Sequence, residues 1–153
     1  MSPSAQTGVH PCGTKLLKVL SLQVRKRAKL HNMLFVDDEP SIRLTLAPIL
    51  EESGFQVRLA DSVTSALKEI SAHKFDVILS DLNISEPRDG FSVVKAARSA
   101  NPFCVAILLT GYPDFDSAVE GINNDIDGYL VKPADIEKLL QTIEQKLAAK
   151  AGV

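Results

Sequence analysis

The sequence predicts an α/β fold in which a five-stranded parallel sheet is doubly wound, with helices on both of its faces. Strand-like and helix-like segments alternate five times between residues 31 and 149, and the links between them are short. Two of the strand-like segments are continuous apolar runs, VIL at 77–79 and FCVAILL at 103–109, as is typical of strands buried on both faces. Parallel pairing is expected because a helix-length crossover separates consecutive strands.

The other three predicted strands are shorter or alternate in polarity. Residues 32–36 (NMLFV) form a short apolar strand that runs into acidic residues, and residues 128–131 (GYLV) form the last strand. Residues 55–59 (FQVRL) alternate between apolar and polar side chains. That alternation predicts a strand near an edge of the sheet, where one face is exposed.

Each strand is followed by a segment with helical spacing of its apolar residues. The first helix begins at Pro40, which suits a first helical turn, and ends at Gly54. The third helix is predicted at 91–99 and the fifth at 135–149. In the second and fourth helices, the residues expected to face the sheet include Leu67, Val119 and Ile122.

Composition indicates a globular, soluble protein of one domain with an appendage. The 153 residues are 45% hydrophobic and 24% charged, and no apolar run approaches the roughly 20 residues of a membrane span. Cys12 and Cys104 lie far apart, one in a polar leader and one in an apolar run. A disulfide framework is therefore not predicted, and a reducing, cytoplasmic location is expected.

Charge divides the chain into a cationic leader and an anionic body. Six of the 17 basic residues lie within residues 1–31, which contain no acidic residue. The remainder has 11 basic and 19 acidic residues, a net charge of −8. An acidic body argues against nucleic-acid binding by the core.

The leader, residues 1–30, is predicted to be partly disordered or to form an amphipathic helix. Residues 1–14 are rich in small and turn-forming residues without periodicity, which predicts disorder. Residues 15–29 place four apolar side chains on one side of a helix. Such a helix would suit docking on a partner, an anionic membrane or the acidic body. A natural start at Met33 is an open alternative.

Polar side chains stand at the ends of four of the five predicted strands. In chain order these residues are Asp37 and Asp38, Asp81, Thr110, and Lys132. The carboxyl ends of parallel strands lie at one edge of a sheet, where open α/β sheets bind ligands. With the first, third, fourth and fifth strands side by side, these side chains converge on one crevice. Each residue alone suits an ordinary cap, turn or surface position, but together they predict a site.

Three carboxylates in one crevice repel each other, so without a counter-ion the pKa of at least one is expected to rise. Oxygen ligands without sulfur or imidazole suit Mg²⁺, which accepts one or two carboxylates together with phosphate oxygens. A carboxylate beside Mg²⁺, an ammonium and a hydroxyl is equipped to attack a phosphoryl donor. The residues therefore predict a magnesium-dependent phosphoryl-transfer site.

Four motifs resemble, in order and spacing, the receiver domain of bacterial two-component response regulators. They are VDDEP at 36–40, LSDLN at 79–83, LLTGY at 108–112 and GYLVKP at 128–133. The resemblance extends over about residues 31–149, which predicts a receiver domain at 31–150. It implies a CheY-like, flavodoxin-type (βα)5 fold with strand order 2-1-3-4-5.

The resemblance implies a role for each acidic residue. Asp81 would be the phospho-acceptor, taking a phosphoryl group from a histidine kinase or a histidine phosphotransfer protein. Asp38 would bind Mg²⁺ directly, with Asp81 and the backbone carbonyl of Asn83 as further ligands, while Asp37 would act largely through water.

The resemblance also implies a switch. Thr110 would hydrogen-bond the phosphoryl group, and Lys132 would pair with one of its oxygens. Tyr129 would move from an exposed towards an inward position as Thr110 shifts. The fourth helix, fifth strand and fifth helix would then present a changed face to a downstream partner. The resemblance also allows a phosphorylation-dependent dimer.

No output domain is expected after the fifth helix, so the sequence predicts a single-domain response regulator that signals through a partner. It would not be an enzyme, apart from its own magnesium-dependent phosphorylation and dephosphorylation. One alternative is a receiver-like interaction module that is never phosphorylated. Another is a phosphatase of the haloacid dehalogenase type, whose D-x-D motif would need a carboxylic acid where this chain has Asn83.

The loop from Asp81 to Gly90 departs from the family pattern, which is roughly D-x-x-M-P-x-x-D-G. Here Pro87 is displaced and the loop contains one residue more. The resemblance therefore predicts the geometry of this loop less well than that of the rest of the site.

Overall fold

A computed structural model describes residues 30–152 of the protein, and within that range five strands and five helices alternate strictly. The strands are β1 (His31–Val36), β2 (Phe55–Ala60), β3 (Val77–Asp81), β4 (Val105–Thr110) and β5 (Gly128–Val131). The helices are α1 (Pro40–Glu52), α2 (Val63–Ala72), α3 (Gly90–Ala100), α4 (Phe115–Asn123) and α5 (Ile136–Ala151). None of these helices is long and apolar enough to cross a membrane. The predictions for the leader lie outside the described residues.

The strands form one parallel sheet in the order β2-β1-β3-β4-β5, which confirms the predicted fold and strand order. Strand β2 lies at an edge, as its alternating polarity predicts. In the register of the sheet, Asp81 pairs with Leu109, and Thr110 pairs with Val131. The carboxyl ends of the inner strands therefore lie side by side at one edge.

The sheet is covered on both faces, because successive side chains of each strand point to opposite sides. One face packs against α1 and α5, and its central residues are Phe35, Leu50, Leu79, Ile107, Leu109, Leu139 and Ile143. The other face packs against α2, α3 and α4, and its central residues are Leu34, Ile78, Val93, Phe91, Val94 and Leu108. Burial of each such side chain contributes about 1.5–3 kcal/mol, so the core supports the strand ends on two sides.

The structure corrects four details of the sequence prediction. Strand β4 begins at Val105 rather than at Phe103, which is 69% exposed. Leu67 in α2 is also exposed. In α4, Val119 and Ile122 point outwards because the helix turns a face of small residues towards the sheet.

Candidate functional site

Asp81 is the last residue of the central strand β3, and its side chain is only 11% exposed at the carboxyl edge of the sheet. The backbone N–H of Leu82 donates to the carbonyl of Leu109 on β4 at 2.8 Å, which fixes the chain just beyond Asp81. One carboxylate oxygen, Oδ1, accepts a hydrogen bond of 3.3 Å from the N–H of Asn83. The other, Oδ2, accepts from Lys132 Nζ at 3.1 Å.

Asp37 and Asp38 follow β1, the strand next to β3. The Asp37 side chain is fully buried, and both of its oxygens are engaged. Its Oδ1 accepts from the N–H of Glu39 at 2.9 Å, and its Oδ2 accepts from Lys132 Nζ at 2.7 Å. Asp38 is exposed. One carboxylate oxygen from each of Asp37, Asp38 and Asp81 lies within 4.8 Å of the others, so the predicted acidic cluster does form.

Lys132 follows β5 and reaches back across the sheet to two of these carboxylates. Its backbone N–H donates to the Thr110 carbonyl at 2.8 Å, which holds the end of β5 against β4. Burial alone would lower the pKa of Lys132, but hydrogen bonds and charge attraction from Asp37 and Asp81 outweigh it and raise that pKa. The ammonium is therefore charged at neutral pH.

The carboxyl group of Asp81 has a raised pKa. Its burial is the main cause, and repulsion from Asp37 adds to it, while attraction and a hydrogen bond from Lys132 act in the opposite direction. A positive charge at the site would favour the carboxylate form that a nucleophile needs.

The donor set fits a hard divalent cation. Three carboxylates and one ammonium give the centre of the site a formal net charge of −2. All three carboxylates are hard oxygen ligands. One oxygen from each lies within 4.8 Å of the others, so a single cation could be held among them. The chemistry of the residues present therefore suits Mg²⁺.

Thr110 and Tyr129 lie on the neighbouring strands β4 and β5. The Thr110 side chain is fully buried, and its Oγ1 accepts from the N–H of Tyr112 at 3.1 Å. The ring of Tyr129 is half-buried and packs against the apolar cluster formed by β4 and α3. Its hydroxyl lies 2.7 Å from Ser117 Oγ on α4. In this structure the ring thus occupies an inward position.

The unusual loop after Asp81 is held by its own side chains. The carboxylate of Asp89 accepts hydrogen bonds from three consecutive backbone N–H groups, at 2.6, 2.9 and 3.0 Å, beginning with that of Ile84. Arg88 adopts a positive φ of 63°, and its N–H donates to Asn83 Oδ1 at 2.7 Å. The extra residue is therefore accommodated within the loop, and Asp81 stays at the strand end.

Three residues that matter for the geometry were not found by sequence reasoning. Gly90 lets α3 approach β3, because a Cβ there would lie 2.3 Å from the Asp81 carbonyl oxygen. Arg43 donates to the Asp37 carbonyl oxygen, and Ser117 bonds to Tyr129. In the sequence, the Asp-Gly pair at the end of the loop could have pointed to Gly90. Nothing in the sequence around Arg43 or Ser117 indicates the contacts that these two residues make.

The sheet order and the acidic crevice define the CheY-like class of doubly wound folds. The chain belongs to the response regulator receiver domain family, whose model matches residues 33–144, inside the predicted domain of 31–150. A solved CheY-like receiver domain from Methanospirillum hungatei JF-1 is 28% identical, with a TM-score of 0.75, and the match covers 81% of this chain and 98% of that one.

Two other similar proteins add detail. A response regulator from Burkholderia pseudomallei, solved with a phosphorylated aspartic acid, a calcium ion and citrate, is 32% identical with a TM-score of 0.70. That match covers 80% of this chain and 71% of that one. The transcriptional regulatory protein ZraR of Escherichia coli K12 is 33% identical over 117 residues, which are 76% of this chain. The chain spans about a quarter (26%) of the length of that relative.

Proposed function

We propose that this receiver domain accepts a phosphoryl group on Asp81 from a histidine kinase or a histidine phosphotransfer protein. The observation that carries the proposal is the Asp81 carboxylate at the end of β3, in contact with Lys132 and beside two further carboxylates. Asp37 has both oxygens engaged in hydrogen bonds below 3.0 Å. Asp81 Oδ1 has one hydrogen bond, of 3.3 Å, so Asp81 keeps an oxygen available for attack.

In the proposed transfer, an Asp81 oxygen attacks the phosphorus of a phosphohistidine in line with the leaving nitrogen. The O–P bond forms as the P–N bond breaks, and the electron pair of that bond returns to the imidazole, which takes up a proton. Lys132 lies 3.1 Å from Asp81 Oδ2, where its ammonium would offset negative charge on the transferred group. We propose catalysis only of the domain's own phosphorylation and dephosphorylation. No enzymatic reaction on another substrate is proposed.

Mg²⁺ is the proposed cofactor. Asp38, Asp81 and the backbone carbonyl of Asn83 would hold it, and Asp37 would act largely through water. When bound, Mg²⁺ would supply positive charge to the phosphoryl oxygens and to the acidic cluster. The similar response regulator from Burkholderia pseudomallei was solved with a phosphorylated aspartic acid and a calcium ion, which supports a role for a divalent cation in the proposal.

The proposed output is a change in the surface formed by α4, β5 and α5. Thr110 would move towards the phosphoryl group, and this movement would further favour the inward position that Tyr129 already has in this structure. The loop before α4, the outer side of α4 and the end of β5 carry exposed apolar side chains, namely Tyr112, Phe115, Ile122 and Val131. Such a patch favours a protein contact, either with a downstream partner or with a second copy in a phosphorylation-dependent dimer.

The direct test is the mass of the intact protein after incubation with acetyl phosphate and Mg²⁺. The proposal predicts a gain of one phosphoryl group in the parent protein and none in Asp81→Asn, in which the nucleophilic carboxylate is lost. No gain in the parent would instead favour the alternative, a receiver-like interaction module that works without phosphorylation.

The cytoplasmic location stays a prediction. It is based on the separation of the two cysteines in the sequence, together with Cys104, which is a free and buried thiol. Nucleic-acid binding is not proposed for the acidic core.

A further inference from the structure

Tyr129 meets helix α4 at two positions one turn apart, Ser117 and Gly121. Its hydroxyl lies 2.7 Å from Ser117 Oγ. A Cβ at Gly121 would lie 2.7 Å from Ile126 Cδ1 and 4.0 Å from a ring carbon of Tyr129. The small residues of α4 therefore make the space that Ile126 and the tyrosine ring fill.

The direction of the Ser117 hydrogen bonds follows from its surroundings. Ser117 is fully buried, and its Oγ lies 3.1 Å from the carbonyl oxygen of Asp114, the N-cap of α4. A carbonyl oxygen can only accept, so the two hydrogen bonds form together only when Ser117 donates to Asp114. Ser117 Oγ then accepts the hydroxyl hydrogen of Tyr129. An outward movement of Tyr129 breaks this bond and leaves the buried Ser117 oxygen without that donor.

The same tyrosine shares a face of the sheet with Thr110, which follows the β4 residue that pairs with Asp81. Tyr129 pairs with Leu108 of β4, and Thr110 lies two residues further along that strand. Residues two apart on a strand point to the same side, so the Thr110 and Tyr129 side chains share one face. Ser117 contacts Tyr129, and Tyr129 shares its face with Thr110, the residue next to the partner of Asp81 in the sheet.

We propose that Ser117 is a positioning residue, which holds Tyr129 inward and thereby couples helix α4 to the Asp81 site. The inference rests on the proposed function, in which Thr110 moves towards a phosphoryl group and Tyr129 takes the inward position. Coupling between two sites is reciprocal in binding free energy. The hydrogen bond that stabilises the inward ring therefore also raises the affinity of the Asp81 site for a phosphoryl mimic.

The test uses the full chain and beryllofluoride with Mg²⁺ as the probe. Ser117→Ala removes the hydrogen bond and should weaken beryllofluoride binding roughly two- to tenfold, the range expected for one buried neutral hydrogen bond. The chain contains two tyrosines and no tryptophan, so ¹³C-labelled tyrosine gives ring signals from Tyr112 and Tyr129 alone. The Tyr129 signal should shift in Ser117→Ala, and the Tyr112 signal should not.

Ser65→Ala is the matched control. Ser65 is the third residue of α2, as Ser117 is of α4. Within residues 30–152, its hydroxyl bonds to Asp61 and Ser62 at the start of its own helix. This variant loses the same chemical group at the same helical position, away from the tyrosine. Its affinity for beryllofluoride should equal that of the parent.

A double-mutant cycle with Tyr129→Phe separates coupling from a structural effect. Tyr129→Phe keeps the ring and removes the donor, so it should weaken binding about as much as Ser117→Ala. In the Tyr129→Phe background, Ser117→Ala should have no further effect. If Ser117→Ala fails to fold, Tyr129→Phe alone tests the bond by the same loss of affinity.

Parent-like affinity in Ser117→Ala, or an equal loss in both backgrounds, would overturn the inference. In either case the parent still binds beryllofluoride, and the proposed function stands. If the parent itself does not bind beryllofluoride, the proposed function fails, and the inference fails with it.

Discussion

At the scale of single residues, the ammonium of Lys132 and a divalent cation would balance the same negative charges. Lys132 Nζ lies 2.7 Å from Asp37 Oδ2 and 3.1 Å from Asp81 Oδ2. The two cations repel each other, although each is attracted to the carboxylates. Loss of the ammonium and loss of a carboxylate should therefore change metal affinity in opposite directions.

We predict that Lys132→Met binds Mg²⁺ several-fold more tightly than the parent and is phosphorylated more slowly. The metal site loses a neighbouring positive charge, while the transferred group loses the ammonium that would pair with it. Asp38→Asn should instead weaken Mg²⁺ binding about tenfold or more, because it removes a charged ligand. Calorimetric titration with Mg²⁺ measures both variants. Weaker binding in Lys132→Met would contradict this assignment of charges.

At the scale of elements, the start of α3 lies against the end of β3, and this contact holds Asp81 in place. The N–H of Gly90 donates to the Leu82 carbonyl at 2.8 Å. A Cβ on Gly90 would lie 2.3 Å from the Asp81 carbonyl oxygen and 2.9 Å from that of Leu82. Backbone atoms cannot yield as a flexible side chain can, so the helix and strand would have to separate.

Gly90→Ala is accordingly expected to lower the free energy of unfolding by about 1–3 kcal/mol, the usual cost of overpacking. It should also reduce phosphorylation, since the displaced backbone carries Asp81. Urea denaturation and the intact-mass assay measure the two effects. Gly111→Ala is the control for stability, because a Cβ at Gly111 would meet nothing within 4 Å. Equal stability of the two variants would refute the close-contact argument.

The elements also show what sequence could and could not predict. The acidic cluster was predictable because strand alternation alone brings the carboxyl ends of β1 and β3 to one edge. The start of β4 was not predictable. The Asn101 side chain accepts a hydrogen bond from the N–H of Phe103, which holds a turn at residues 101–103 although the sequence from Phe103 onwards is apolar. In α4, the inward face consists of Ser117 and Gly121, which apolar periodicity cannot identify.

At the scale of the whole molecule, an ion network at the edge opposite the acidic cluster joins α3, β4 and α5. Asp127, which precedes β5, has a side chain only 11% exposed. Its carboxylate accepts from Arg98 at 2.8 Å, from Lys150 at 3.0 Å and from the N–H of Ala106 at 2.9 Å. Helices on both faces of the sheet are thus tied to one carboxylate.

Asp127→Asn should lower the free energy of unfolding by about 2–4 kcal/mol, because two largely buried cations lose their shared counter-charge. Asp125→Asn offers a matched comparison: Asp125 is fully exposed and lies 4.0 Å from Arg98. Its loss should leave stability nearly unchanged, as is usual for exposed pairs. Thermal and urea unfolding measure both variants. A small effect of Asp127→Asn would show that the network does not stabilise the fold.

Asp81, rather than Asp37 or Asp38, is proposed to receive the phosphoryl group. Borohydride converts an aspartyl phosphate to homoserine, so reduction after treatment with acetyl phosphate and Mg²⁺, followed by peptide mass spectrometry, identifies the modified residue. We predict homoserine at position 81 and unmodified aspartate at positions 37 and 38. Homoserine at either of those two positions, or at none of the three, would contradict the account.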